Sequence, residues 1–144
     1  MAKKIIVALS VLSIVISSII IIYKYRQHIL VWQANKEISV GGIKLMMTES
    51  ETKRILGKEE AFIPGFGGYK LEYPGKGIFL IFLNDMDTDF YRKVQQIEVM
   101  DPEYEVFGVK VGDDFDIAVN LLCKKGFKQG KDGHPGYWKS NMYI

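Results

Sequence analysis

From Ile5 to Ile22 the chain carries no charge. These 18 positions hold thirteen Ile, Leu or Val, one Ala and four Ser. As a helix they would be about 27 Å long, close to the ~30 Å hydrocarbon core of a bilayer. Each Ile, Leu or Val favours insertion by roughly 0.3–0.6 kcal/mol, so the four serines are outweighed. A run that is apolar on every side, directly behind "MAKK", suits lipid better than a protein core. The sequence therefore predicts a basic N-terminus over 1–4 and a transmembrane segment over 5–25.

The far end of this run argues against its removal as a signal peptide. It reads "IIIIYKYRQ", with no A-x-A small-residue site, and no cysteine lies near it for lipid attachment. Tyr23, Tyr25 and Trp32 suit a membrane–water interface, with Lys24 and Arg26 beside them. The expectation is an uncleaved signal anchor, single-pass, in the cell membrane. Lys3, Lys4 and the amino terminus nearly balance Lys24, Arg26 and Lys36 in the positive-inside count. The signal-peptide-like start tips the expectation toward a domain outside the cytoplasm. "QHILVWQANKE" lacks Gly and Pro and prolongs the helix as a juxtamembrane stalk over 26–37.

Charge divides the chain in the same place. Residues 1–44 carry six Lys or Arg and one Glu; residues 45–144 carry 13 Lys or Arg against 16 Asp or Glu, a net charge of −3. A mildly acidic globular part argues against nucleic acid as a partner. Cys123 is the single cysteine, so no internal disulfide forms. It sits in an apolar helical pattern and reads as a small core residue.

The globular part, 38–144, reads as α+β. "ISVGGIKL" is a strand interrupted by Gly41-Gly42. Thr48 with Glu51 three residues on makes a capping box, and Gly57 stops the helix. Glu49, Glu51, Lys53 and Arg54 read as its solvated face. "FIPGFGG" reads as a loop. "YKLEY" alternates, with Tyr69, Leu71 and Tyr73 to one side. "IFLIFL" is apolar on both faces, which suits a central strand covered on both sides or nearly so. "VQQIEV" is a third strand, so the first unit, 38–100, is one helix on three antiparallel strands.

A second unit over 104–144 repeats the layout. "YEVFGVKVG" is a strand, and Asp113 or Asp114 caps a helix in which Phe115, Ala118, Val119, Leu122 and Cys123 follow helical spacing. Gly126 ends it. "GYWKSNMYI" reads as a hairpin around Ser140-Asn141. This unit shows one strand fewer and is incomplete. It borrows a strand from the first sheet or from a partner, or the chain is truncated at Ile144.

The residues give little chemistry. Asp85, Asp87 and Asp89 have the opening spacing of a calcium loop, but Phe90 stands where Gly is needed and Gln96 where a bidentate Glu is needed. "PGKG" lacks the Ser or Thr of a phosphate loop. His28 and His134 ("KDGHPG", a turn) are far from Cys123, and no metal cluster suggests itself. No Ser, Cys or Thr has a nucleophile context. Asp101, Glu103 and Glu105 read as a solvated linker. The reading is of a protein without catalysis, cofactor or metal. Among the aromatics, Tyr69, Tyr73, Tyr137 and Trp138 are candidate partner-binding residues, with burial in the core as the competing reading. Thr48, Glu51, Gly57, Asp114 and Gly126 are structural helix caps.

"LMMTESETKRILGKEE" resembles the helix signature of the SmpA/OmlA family of small envelope proteins, G-M-T-x-x-E-V-x-x-x-L-G-x-P. Met47, Thr48, Glu51, Leu56 and Gly57 match it. Met46 replaces its Gly, Thr52 its Val and Glu59 its Pro. "VGDDFDIAVNLL" is a looser second copy. Two such units in tandem are similar to the architecture of β-lactamase-inhibitory proteins, and the whole chain resembles membrane-anchored proteins of Gram-positive bacteria. The resemblance implies an extracytoplasmic protein-binding or envelope-assembly module, or alternatively an inhibitor or immunity protein against a secreted hydrolase or toxin. Its motifs cap and turn helices, so they carry no catalytic residue over.

Overall fold

A computed structural model describes residues 2–65, 67–130, 136–139 and 142–144. It divides into two compact units, residues 1–33 and 34–144. Helix α1, Ala2–Asn35, is continuous through the apolar run and the residues after it. Its two halves, Ser10–Tyr23 and Tyr25–Asn35, meet at 46°. Among the described residues no single helix is long and apolar enough to cross a membrane, and these halves pass that test only as a pair.

The second unit is α+β with antiparallel sheets. Strand β1, Ile38–Ser39, precedes a turn in which Gly41 and Gly42 both take positive φ, closing a bridge between Val40 and Ile43. Helix α2, Glu49–Leu56, follows, then strands β2 (Ala61–Gly65), β3 (Gly68–Tyr73), β4 (Ile78–Leu83) and β5 (Val94–Val99). These four form a meander in chain order. The segment read as a loop, "FIPG", is thus an edge strand, where Pro64 is tolerated because an edge residue need not donate to a ladder. The first sheet has four strands rather than three.

Alternation in β3 is as read: Tyr69, Leu71 and Tyr73 are buried. β4 is central, as read, but its two faces are covered unequally. Ile78, Leu80 and Phe82 are fully buried, each worth about 1.5–3 kcal/mol. Phe79 and Ile81, on the other face, are half-buried, and Leu83 is exposed. No second layer covers that face among the described residues. Instead the Lys70 ammonium sits 4.9 Å from the Phe79 ring centre and pairs with Glu98 at 2.9 Å and Glu72 at 3.5 Å. The lysine stem shields apolar surface while its head stays wet.

Strands β6 (Glu105–Val106) and β7 (Val109–Lys110) make a hairpin around Phe107 and Gly108, and β1 pairs with β6. A strand from before α2 therefore joins the part of the chain after residue 104, in a sheet β1–β6–β7 of its own; among the described residues the four-stranded sheet lends it no strand. "YEVFGVKVG" is two strands, not one.

Helix α3, Phe115–Lys124, leads into β8 (Lys128–Gln129), β9 (Tyr137–Lys139) and β10 (Met142–Tyr143), a second antiparallel meander. β8 has no counterpart in the sequence reading. Strands β9 and β10 pair as the predicted hairpin; Ser140 and Asn141 lie outside the described residues, as does the "KDGHP" turn with His134.

One apolar cluster lies within residues 34–144. It runs from Ala34, Ile38, Val40 and Ile43 through the sheet residues to Phe107, Leu122 and Phe127. In α3 only Leu122 is buried. Cys123 is exposed, which corrects its placement in the core: the next residue along a helix is turned about 100° from Leu122. Phe115, expected on the core face, is exposed too.

Candidate functional site

Both helices are fastened by the caps the sequence foresaw. Glu51 N–H donates to Thr48 Oγ1 at 3.3 Å, and Thr48 N–H donates to Glu51 Oε2 at 2.7 Å. Gly57, at φ 87°, closes α2 with its N–H on the Lys53 carbonyl at 2.9 Å. Of the two candidate aspartates it is Asp114 that caps α3, accepting from Asp116 N–H and Ile117 N–H. Past its end, Gly126 at φ 87° donates to Cys123 and Phe127 donates to Leu122, a Schellman motif whose apolar pair, Leu122 and Phe127, is buried.

The proposed partner-binding aromatics separate. Tyr69 and Tyr73 are buried, so neither ring is available to a partner. Alternation puts them on the same face of β3 as Leu71, the face that carries the core. Tyr137 is half-buried at the start of β9, its N–H and C=O both bonded to Ile144. Trp138 is placed by its backbone, opposite Lys128 and Tyr143; its side chain lies outside what the structure describes.

Tyr69 instead belongs to a polar cluster that the sequence reading missed. Its hydroxyl donates to Glu49 Oε2 at 2.7 Å, and its ring lies between Phe82 and Phe62 at 5.0 and 5.3 Å. Lys53 Nζ reaches Glu49 Oε1 at 2.7 Å and Glu59 Oε2 at 3.0 Å. Arg92 stands 3.7 Å from Glu49 and 6.0 Å from the Tyr69 ring centre. Glu49 and Lys53 are therefore not a freely solvated helix face; they tie α2 to the sheet. The i, i+4 spacing of Glu49 and Lys53 was the available signal. Their partners Tyr69, Glu59 and Arg92 are separated in sequence and gave none.

The electrostatics follow from these bonds. The Lys53 ammonium and then the Tyr69 hydroxyl hold the Glu49 carboxyl below its usual range. Glu49 and Glu59 hold Lys53 above its own. Burial first, and the Glu49 bond second, push Tyr69 up to about 12. The cluster borders an open depression of about 420 Å³ lined by Thr48, Glu49, Ser50, Lys53, Tyr91 and Arg92. Its acids and bases are paired with one another, which suits a latch rather than a proton-transfer site.

The second feature is apolar. At the start of α3, Phe115 is 71% exposed and Ile117 59% exposed, with Val111 exposed just before them. Asp113, Asp114 and Asp116 surround them in sequence and are exposed. Phe115 and Ile117 are two residues apart on the helix, so their side chains leave it about 160° apart and expose separate apolar spots. No family model, no curated protein and no solved structure matches the chain.

Proposed function

We propose that the chain is a single-pass membrane protein whose α+β domain, built of two related halves, stands outside the cytoplasm and binds another envelope protein without catalysis. The anchor rests on the uncharged run from Ile5 to Ile22 and on the exposure of Val11, Leu12, Ile14, Val15, Ile16 and the isoleucines 19–22. Lipid would cover those side chains. The two halves rest on the order helix then antiparallel meander, which occurs at α2 with β2–β5 and again at α3 with β8–β10. The SmpA/OmlA resemblance of the α2 signature points the same way.

The observation that carries protein binding is the exposure of three large apolar side chains at or just before the start of α3, Val111, Phe115 and Ile117, on more than one side of the chain. An α3 that buries only Leu122 among its large side chains has apolar surface left for a partner. Asp113, Asp114 and Asp116 are exposed beside them in sequence, which suits a partner surface that is apolar with basic residues near it. A photo-crosslinker in place of Phe115, in the full chain in its own membrane, tests this. One discrete protein adduct is expected. No adduct from a chain that is folded and inserted would overturn the reading.

A further inference from the structure

The half of α1 beyond the apolar run has an unequal surface. Tyr25, Ile29 and Trp32, spaced i, i+4, i+7, form one stripe and are 51%, 48% and 59% exposed. Gln27, Leu30 and Val31, toward the opposite side, are half-buried. Arg26 and Gln33 flank the stripe on one side and His28 on the other, its ring 6.0 Å from that of Tyr25. The first acidic residue in the chain is Glu37, so this stretch carries only basic charge.

We infer that residues 25–33 form a foot lying in the membrane–water interface, with Tyr25, Ile29 and Trp32 among the lipid headgroups and upper acyl chains of an anionic bilayer surface. The inference rests on the membrane-anchor reading above. It replaces the expected stalk over 26–37 with a segment that lies on the membrane. Three features select lipid. Two of the three stripe residues are the aromatics favoured at that depth. The flanking charge is of one sign and complements acidic headgroups. The bend of 46° at the end of the apolar run turns the helix axis away from that of the span.

The test uses the full chain in vesicles of phosphatidylcholine with a minority of phosphatidylglycerol. Trp138→Phe leaves Trp32 as the single tryptophan of the two; Trp138→Tyr serves if that variant does not accumulate. Lipids brominated high on the acyl chain are expected to quench Trp32 emission about twofold, with little quenching by aqueous acrylamide. Quenching by acrylamide and not by bromine overturns the foot. So does protection from both that disappears when the protein is diluted with lipid, because a second copy then covers the stripe. Replacing phosphatidylglycerol by phosphatidylcholine is expected to weaken the bromine effect, and an unchanged effect overturns the anionic part of the inference. A second chain with Trp32→Phe, Trp138→Phe and Ile16→Trp reads the span itself. If lipids brominated near the chain end quench it while Trp32 stays unquenched, the foot alone fails. If nothing quenches it, the anchor reading fails.

Discussion

The Tyr69 hydroxyl donates to Glu49 Oε2 at 2.7 Å while its ring lies parallel to Phe82, 5.0 Å between centres. One side chain thus serves both the core and the polar latch between α2 and the sheet. The two roles separate by mutation. Tyr69→Phe keeps the ring and removes the bond, and a urea midpoint should report a loss of about 1 kcal/mol. Tyr69→Ala also opens a cavity beside Phe82 and should cost about 3–5 kcal/mol. Equal losses in the two variants would mean the latch, not the packing, dominates.

The latch also sets an acid limit. Glu49 and Glu59 have folded-state pKa values below their ordinary ones, Glu49 chiefly through Lys53 and Glu59 chiefly through its own backbone amide and then Lys53. A depressed carboxylate contributes stability that is present above its unfolded value of about 4.5 and is lost as pH falls through the folded value. Stability should therefore decline from about pH 5 downward, and Glu49→Gln should flatten that decline while lowering the neutral plateau. At the alkaline end Tyr69, raised to about 12, should keep its proton through pH 10 and lose its contribution between there and 12. Thermal midpoints across pH, and phenolate absorbance in Tyr69→Phe against the parent, read both ends.

How much of this was legible in the sequence depended on range. Thr48, Glu51, Gly57, Asp114 and Gly126 act within one helical turn of their partners, so local spacing revealed them. Strand alternation at Tyr69, Leu71 and Tyr73 was equally local, and it held. What failed was anything set by distant pairing. Ala61–Gly65 reads as a loop because Pro and Gly dominate it, and only its ladder to β3 makes it a strand. Ile38–Ser39 pairs across more than sixty residues with Glu105–Val106, which no periodicity announces. The apolar residues of "IFLIFL" suggested two covered faces, but a long lysine stem and two glutamates replaced the second layer.

The folded domain begins before the strand that the sequence placed first. Ala34 is buried, Asn35 Oδ1 accepts from Leu45 N–H at 2.8 Å, and Asn35 Nδ2 donates to the Leu45 carbonyl at 3.0 Å. Lys44 Nζ donates to the Asn35 and Ile38 carbonyls, and Phe107 N–H donates to the Glu37 carbonyl. A chain starting at residue 38 loses all but one of these. It should be markedly less stable to urea than a chain starting at residue 34. Asn35→Ala should cost about 1–3 kcal/mol for its two bonds. Indistinguishable midpoints for the two truncations would show that residues 34–37 are dispensable.

Phe107 pairs a strained backbone with a favourable side chain. Its φ is 56° and that of Gly108 is 83°, the two positive angles of a tight hairpin turn between β6 and β7. The ring is buried and meets Phe127 edge-on at 4.9 Å. Left-handed backbone costs a residue with a side chain roughly 1–2 kcal/mol, whereas losing a buried aromatic costs about 3–5. Phe107→Gly should therefore relieve strain yet still destabilise, by about 2 kcal/mol. Gly108→Ala, which meets nothing nearer than Lys125 Cε at 3.9 Å, should cost only the conformational part, about 1–2 kcal/mol. A neutral Phe107→Gly in chemical denaturation would place the Phe107–Phe127 contact outside the energetics of the core.

The β2–β3 connection provides the sharpest steric test. Gly65 and Gly68 face each other across its turn. A Cβ at Gly68 would stand 2.2 Å from the Phe82 carbonyl oxygen, a backbone atom of β4 that cannot rotate aside. The β3–β4 ladder would have to part near Leu83, loosening the Phe82 side chain that stacks on Tyr69. A Cβ at Gly65 meets only the Gly68 carbonyl oxygen at 3.7 Å, an ordinary contact. Gly68→Ala should therefore lower the thermal midpoint steeply or prevent accumulation of folded protein. Gly65→Ala should stay within about 0.5 kcal/mol of the parent. Hydrogen exchange at the amides of β4 then separates a local parting of the ladder from general unfolding: Gly68→Ala should accelerate the residues nearest Leu83 first. Uniform acceleration throughout the domain would show that this corner of the sheet has no stability of its own to lose.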